Sequence, residues 1–469
     1  MSKENDVQYV AELLRGCIEL GMREGASFID ARAELCTTFY VELSNGVVTA
    51  IKQGIERGAC IRVLYRGSWG FSTTSVLTRE SLVNCVRSAL KAAKALAVRA
   101  RAEHRVYTLP SCEDYVKASL ALDPRSVSTS EKVRDLLEYH REIAREGYVK
   151  SVIARYSDEV GAKVYVSSEG RSIVQEYCYT WFHTWVVGRE GPVVASVRDS
   201  KGTIDGYTLW RKWPQHEIAT VVKERLKKQL RAKTPKGGTF PVVLAPEVVG
   251  TFVHEAFGHL AEADLTLSGS AIRDKMGKKI ASELVTIVDD PTIPGAYGTF
   301  KYDDEGVEAR KAFLIEKGIA KELMVDREYA AKLGTSPTGN ARAESYRVWP
   351  LIRMRNTVLL PGDYEVNELF EGIEFGYYLV SVRGGQANLD GTFQVGIQEA
   401  YEIVNGEVGD PVRNVSISGN TLDTLMEVDA VAKDFDISYG RCGKGQTVLV
   451  SDGGPHIRVR RIVVGGEAT

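Results

Sequence analysis

The hydrophobic residues of this chain switch from helical to strand period and back twice before residue 239, an order that excludes a pure helix bundle and a pure β-sandwich alike. Residues 6–24 place Val10, Leu13, Leu14, Cys17, Ile18 and Met22 at helical spacing, and Gly25 stops the pattern. From Phe28 to Tyr65 the period is that of strands, with Asn45-Gly46 as a hairpin signal, which predicts an antiparallel meander. Residues 78–104 return to helix, opened by Thr78 as a capping residue. A helix preceded by Ser130 and running to about Arg145, strands near 149–156, 162–168, 171–188 and 192–199, and a helix near 215–232 repeat that order, as a duplication would.

At 469 residues the chain exceeds what one core supports. We expect a helix–meander–helix unit over 1–108, a linker over 109–130 (two prolines, many Ser and Thr), a second mixed unit over 131–238, and a β-rich domain over 239–469 with helices near 246–264, 308–317 and 365–374. The fold class is therefore α+β: N-terminal mixed units of antiparallel sheet and helices, followed by a β-rich C-terminal domain.

Sixty Lys and Arg against 62 Asp and Glu leave a formal charge of -2, so no chain-wide basic footprint for nucleic acid or an anionic membrane exists. Charges or glycines interrupt every apolar run before the roughly 18 residues of a membrane span. The polar, then amphipathic, N-terminus lacks a secretory pattern, and the cytoplasm is the expected compartment. Seven scattered cysteines without a CxxC pair argue against a disulfide framework. No P-loop or Rossmann signature supports nucleotide chemistry.

Chemistry concentrates in PEVVGTFVHEAFGHLAEAD, residues 246–264, where His254 and His259 flank Glu255 in the order His-Glu-x-x-x-His. Neutral imidazoles bind a borderline metal, and the carboxylate can take a proton from an activated water. On a regular α-helix, positions five apart lie roughly 140° apart around the axis, too far to share an ion. The spacing therefore requires a π-bulge, or a helix that ends near Gly258. Catalytic zinc needs a third protein ligand, for which Glu262, Asp264, His456 and Cys442 are candidates.

Further segments follow in order: SELVTIVDD at 282–290, DDEG at 303–306, TSPTGNARAESY at 335–346, GGQ at 384–386 and CGKGQ at 442–446. Together with HEAFGH at 254–259 they resemble the TldD branch of the TldD/PmbA zinc metallopeptidase family, the modulators of DNA gyrase. That resemblance implies His254, His259 and Cys442 as ligands of one zinc per chain and Glu255 as the catalytic carboxylate. It also implies hydrolysis of unfolded proteins or small peptides, and a homodimer or a heterodimer with a PmbA-type paralogue. Arg342, in the TSPTGNARAESY loop, and Gly384 and Gly385, whose lack of side chains lets an extended backbone approach, are candidates for substrate contact. His456 is a candidate for stabilising charge on the scissile carbonyl. Two other readings share the metal motif: a peptide-binding or partner subunit with a structural metal, and an amidohydrolase acting on a small nonpeptide amide.

Overall fold

A computed structural model describes residues 3–98 and 103–466. The N-terminal half contains α1 (Lys3–Arg23), β1 (Phe28–Ser44), β2 (Val47–Tyr65), β3 (Ser68–Thr74), α2 (Arg79–Ala97), β4 (Cys112–Val116), α3 (Thr129–Ala144), β5 (Val149–Ser167), β6 (Arg171–Glu190), β7 (Val193–Thr203), α4 (Leu209–Lys212) and α5 (Gln215–Arg231). Thr78 caps α2 by accepting from Ser81 N, and Ser128 with Glu131 forms a capping box on α3. The end of the helix expected over 78–104 reaches residues 99–102, which lie outside the described residues.

All seven strands join one sheet in the order β3-β2-β1-β5-β6-β4, with β7 also on β6. The two helix–meander–helix units thus pool their strands: β1 pairs antiparallel with β5 from Asp30↔Ser167 to Ser44↔Ile153. The stretch 109–130, read as a linker, contributes β4, which runs parallel to β6. Strand alternation explains how the sheet is used. Ile29, Ala31, Ala33, Val41 and Leu43 point to one face, under α1 and α2 at one end and under α3 and α5 at the other. Each fully buried Leu or Ile there contributes about 1.5–3 kcal/mol. Asp30, Arg32 and Glu34 alternate with them and are also buried. Their face packs on the C-terminal domain, where Arg32 donates to Ser345 O and Val348 O, and Glu34 accepts from Tyr346 N.

The C-terminal half contains β8 (Gly238–Leu244), α6 (Pro246–Phe252), α7 (Ala263–Leu267), β9 (Ile287–Asp289), β10 (Ala312–Glu316), β11 (Ile319–Ala320), α8 (Arg327–Leu333), β12 (Ala341–Arg342), β13 (Leu351–Ile352), β14 (Asn356–Leu359), β15 (Phe375–Ala387), β16 (Thr392–Val404), β17 (Glu407–Val412), β18 (Val415–Asn420), α9 (Thr421–Met426), β19 (Val428–Val431), β20 (Asp436–Gly443), β21 (Thr447–Gly454) and β22 (Ile457–Gly466). Strands β15-β8-β22-β18-β16 close on themselves through a β15–β16 pairing, so they form a five-stranded barrel; β17 and β19 attach outside it. A second sheet runs β11-β10-β9-β14-β21-β20. Helix α6 lies between barrel and sheet, against β15 on one side and β20 and β21 on the other. Gly250 makes that approach possible, since a Cβ there would lie 2.6 Å from Gly453 N.

Two expected helices are corrected. The segment 308–317 holds strand β10, because Lys317 and Gly318, both at positive φ, form a two-residue turn that folds Ile319 back on Glu316. The segment 365–374 holds only a 3-10 turn, Val366–Phe370, stopped before Gly372 at φ 77°. Among the described residues no helix is long and apolar enough to cross a membrane.

Candidate metal centre

The chain leaves α6 through a π-helical turn, Val253–Phe257, and then a 3-10 turn, Gly258–Ala261. In the π turn the Gly258 N–H reaches Val253 O, a closure over five residues that stacks residues of that spacing on one side. Gly258 itself has an ordinary helical φ of -54°, and its contribution is room: a Cβ would lie 2.0 Å from Met354 Sδ. The turn brings the His254 and His259 rings to a centroid separation of 5.4 Å, edge to face.

Cys442 approaches from β20, two residues before the turn into β21. Its Sγ lies 3.4 Å from His259 Nε2, and the ligand atoms of His254, His259 and Cys442 all fall within 4.8 Å of one another. Ligands at 2.0–2.3 Å in a tetrahedron are separated by about 3.6 Å. Two imidazoles and a thiolate are also a donor set suited to zinc. The buried Nδ1 of His254 has no partner among the described residues. The three residues therefore fit a divalent ion.

Among the protein groups alone, burial raises the Cys442 thiol, but hydrogen bonds with His254 and His259 outweigh it and bring the pKa down to about 4. Burial lowers His259, and its bonds to Cys442 and Glu262 reverse this and lift it to about 10; His254 is raised against burial by Cys442 in the same way. Cys442 is thereby held as the thiolate that a metal needs from it. By contrast, burial pushes Cys17 and Cys36 up to about 12.

Glu255 Oε2 lies 3.9 Å from His259 Nε2, and its side chain retains 29% exposure where the histidines are more enclosed. A Cβ on Gly385 would touch Glu255 Cγ and Thr251 Cγ2, both at 3.4 Å, so this glycine, next to Gly384 in β15, lies against the glutamate. Thr251 lines a cavity of about 580 Å³ whose walls include Trp181, His183, Arg383, Tyr439 and Asp452. Burial raises Asp452 to about 7 against the opposing pull of His254, with Glu255 and Glu247 adding to the rise.

The other candidates are elsewhere. Glu262 accepts from His259 Nδ1 at 2.9 Å, on the ring edge away from Cys442, and Asp264 pairs with Lys444. His456 bonds Tyr378 OH and Asp434 on the barrel. Arg342 is buried and gives its donors to Met354 O and Leu449 O. Sequence reasoning passed over Arg353, which is fully buried and holds the Cys442 turn from both sides, donating to Cys442 O and Gln446 O at 2.6 and 2.7 Å. Its signal was present in LIRMRN, where two arginines interrupt an apolar run without acidic neighbours.

Models of three domains match in chain order: PmbA/TldA metallopeptidase domain 1 over residues 29–93, the central domain over 122–232 and the C-terminal domain over 237–466. The chain belongs to the PmbA/TldD metallopeptidase family. Within it, the Saccharolobus solfataricus protein named zinc metalloprotease TldD homolog is 41% identical over 94% of this chain and 97% of its own length. A Methanothermobacter thermautotrophicus metalloprotease is 37% identical over 99% of this chain and all of its own. The crystal structure of TldE from Thermococcus kodakarensis superposes with a TM-score of 0.79 at 20% identity, over 97% of this chain and 100% of that one, a likeness of PmbA/TldD fold.

Proposed function

We propose that this chain is a zinc peptidase that hydrolyses peptide bonds in unfolded proteins or small peptides, with His254, His259 and Cys442 as the zinc ligands and Glu255 as general base. The observation that carries the reading is the convergence of a His/His/Cys donor set with a partly exposed carboxylate, Glu255, four residues after Thr251, which lines a cavity of about 580 Å³. A divalent ion bound there supplies Lewis acidity that polarises a carbonyl and acidifies water. Glu255 accepts the proton of a water whose oxygen adds to the scissile carbonyl carbon, and as the C–N bond breaks it returns that proton to the leaving amine. Gly384 and Gly385 leave space beside Glu255 for an extended substrate backbone. Arg342 holds Met354 and Leu449 by their carbonyls and supports the substrate side through them. The proposal extends, through the family resemblance, to a cytoplasmic protein acting as a homodimer or with a PmbA-type paralogue.

The test is zinc content and peptide hydrolysis measured on the same preparations of wild type, His254→Ala and Glu255→Gln. Expected are about one zinc per chain in wild type, its loss in His254→Ala, and zinc retained with hydrolysis reduced about 10²–10⁴-fold in Glu255→Gln. Undiminished hydrolysis in Glu255→Gln removes it as the base. Zinc in wild type without hydrolysis favours a peptide-binding subunit with a structural ion.

A further inference from the structure

His259 is held by a side-chain network centred on the buried Glu262 that also reaches the Cys442 turn. Glu262 is fully buried, and a single oxygen of its carboxylate, Oε2, accepts from His259 Nδ1 at 2.9 Å and forms an ion pair with Lys444 Nζ at 3.2 Å. Lys444 stands in the turn between β20 and β21, two residues beyond Cys442, and it also bonds Asp264 at 2.8 Å and Ile352 O at 3.1 Å. One ammonium therefore fastens the cysteine-bearing turn to the segment that presents His259. When the ring is neutral, as a metal ligand must be, a carboxylate at Nδ1 keeps the remaining proton on that edge and leaves the Nε2 lone pair for the donor cluster, where Nε2 lies 3.4 Å from Cys442 Sγ.

We propose that Glu262 and Lys444 are a positioning pair for the metal ligands: Glu262 fixes the tautomer and rotation of His259, and Lys444, acting through Glu262, fixes the distance between His259 and Cys442. The inference rests on the reading of His254, His259 and Cys442 as a metal site. A purely structural staple between the two segments would make the same contacts, but it would not depend on what Glu262 offers to Nδ1. A carboxamide at position 262 still provides an acceptor of similar size; an aliphatic side chain provides none.

The experiment is zinc affinity of the full-length chain by chelator competition, with thermal unfolding recorded in parallel, for wild type, Glu262→Gln, Glu262→Leu, Lys444→Met and the double variant Glu262→Leu/Lys444→Met. Glu262→Leu is expected to weaken zinc binding about 10–100-fold, the usual range for loss of a carboxylate behind a metal-bound histidine. Glu262→Gln should recover most of that loss, and Lys444→Met should weaken binding measurably. Because the lysine acts through the glutamate, the double variant should bind within about twofold of Glu262→Leu. Equal affinities for the Gln and Leu variants, wild-type affinity in Glu262→Leu, or losses that multiply in the double variant would each overturn the pair. Should Glu262→Leu not fold, wild-type affinity in both Glu262→Gln and Lys444→Met overturns the pair, whereas a weakened Lys444→Met with a near-normal Glu262→Gln supports it. A folded wild type that takes up no zinc overturns the metal reading itself, a result separable from any difference among variants.

Discussion

His183 shows how strongly one buried side chain answers to its surroundings. Its ring stacks on Trp181 and its Nδ1 lies 2.9 Å from Ser200 Oγ. Burial, then the charges of Arg155 and Arg198 with Arg441 beyond, bring its pKa down to about 4 against an opposing pull from Asp199. The folded value is below the unfolded one, about 6.5. The neutral ring therefore contributes stability above that pH, and the contribution is lost as pH falls toward 4, up to about 3 kcal/mol in all. In an unfolding series against pH, His183→Gln should flatten this part of the acid limb relative to wild type; an identical limb would take His183 out of the account. Cys442 is the counterpart at the candidate site. Its flanking glycines made it one of four candidates for the third ligand, and the resemblance chose it among them. Its low pKa comes from partners 183 and 188 positions away in the chain, a proximity that depends on where β20 lies against the π turn and is invisible to local pattern.

The π turn was the most legible element of the site, because five-residue spacing between two histidines that must face one point is incompatible with α geometry. What spacing did not reveal was the reason for Gly258, which serves Met354 rather than backbone freedom. Gly258→Ala is therefore expected to destabilise the chain by about 1–3 kcal/mol through overpacking, measured by denaturant unfolding. Met354→Ala in the same chain should relieve part of it, and a strictly additive double variant would show that the clash is not the cause. The long strands of the N-terminal sheet were readable only in part: alternation and the Asn45-Gly46 turn marked β1 and β2, but β5 runs unbroken over Val149–Ser167 where two strands, 149–156 and 162–168, were expected. Strand β10 was not readable: five residues are too few to establish a period, and its identity rests on the Lys317-Gly318 turn that pairs it with β11. The supporting roles of Glu262, Lys444 and Arg353 were likewise hidden, because a sequence does not tell which way a charged side chain inside an apolar segment turns.

At the level of the whole molecule, the two halves meet through buried charges as well as aromatic packing, such as Trp69 edge-on to Trp349 and Tyr165 and Ile173 clustered with Tyr302. Arg62, opposite Asp30 in the β1–β2 register, is held by Asp30 within the sheet and reaches Glu305 of the C-terminal domain at 2.7 Å. Replacing Arg62 with Met leaves two buried carboxylates without their shared cation, and should cost about 3–5 kcal/mol. Denaturant unfolding followed separately in the two halves should then lose coincidence; a single superimposable transition at the wild-type midpoint would show that other contacts suffice. The barrel carries a different consequence. Its first strand, β8, lies beside its last, β22, with Gly238 opposite Val464 and Leu244 opposite Ile457. Tension applied between the N-terminal sheet and Gly466 would load this seam at one end and peel its hydrogen bonds in succession, whereas a sheared pair resists with all of them together. Mechanically the C-terminal half is a ring with a zip, and the zip opens toward the side from which the rest of the chain pulls.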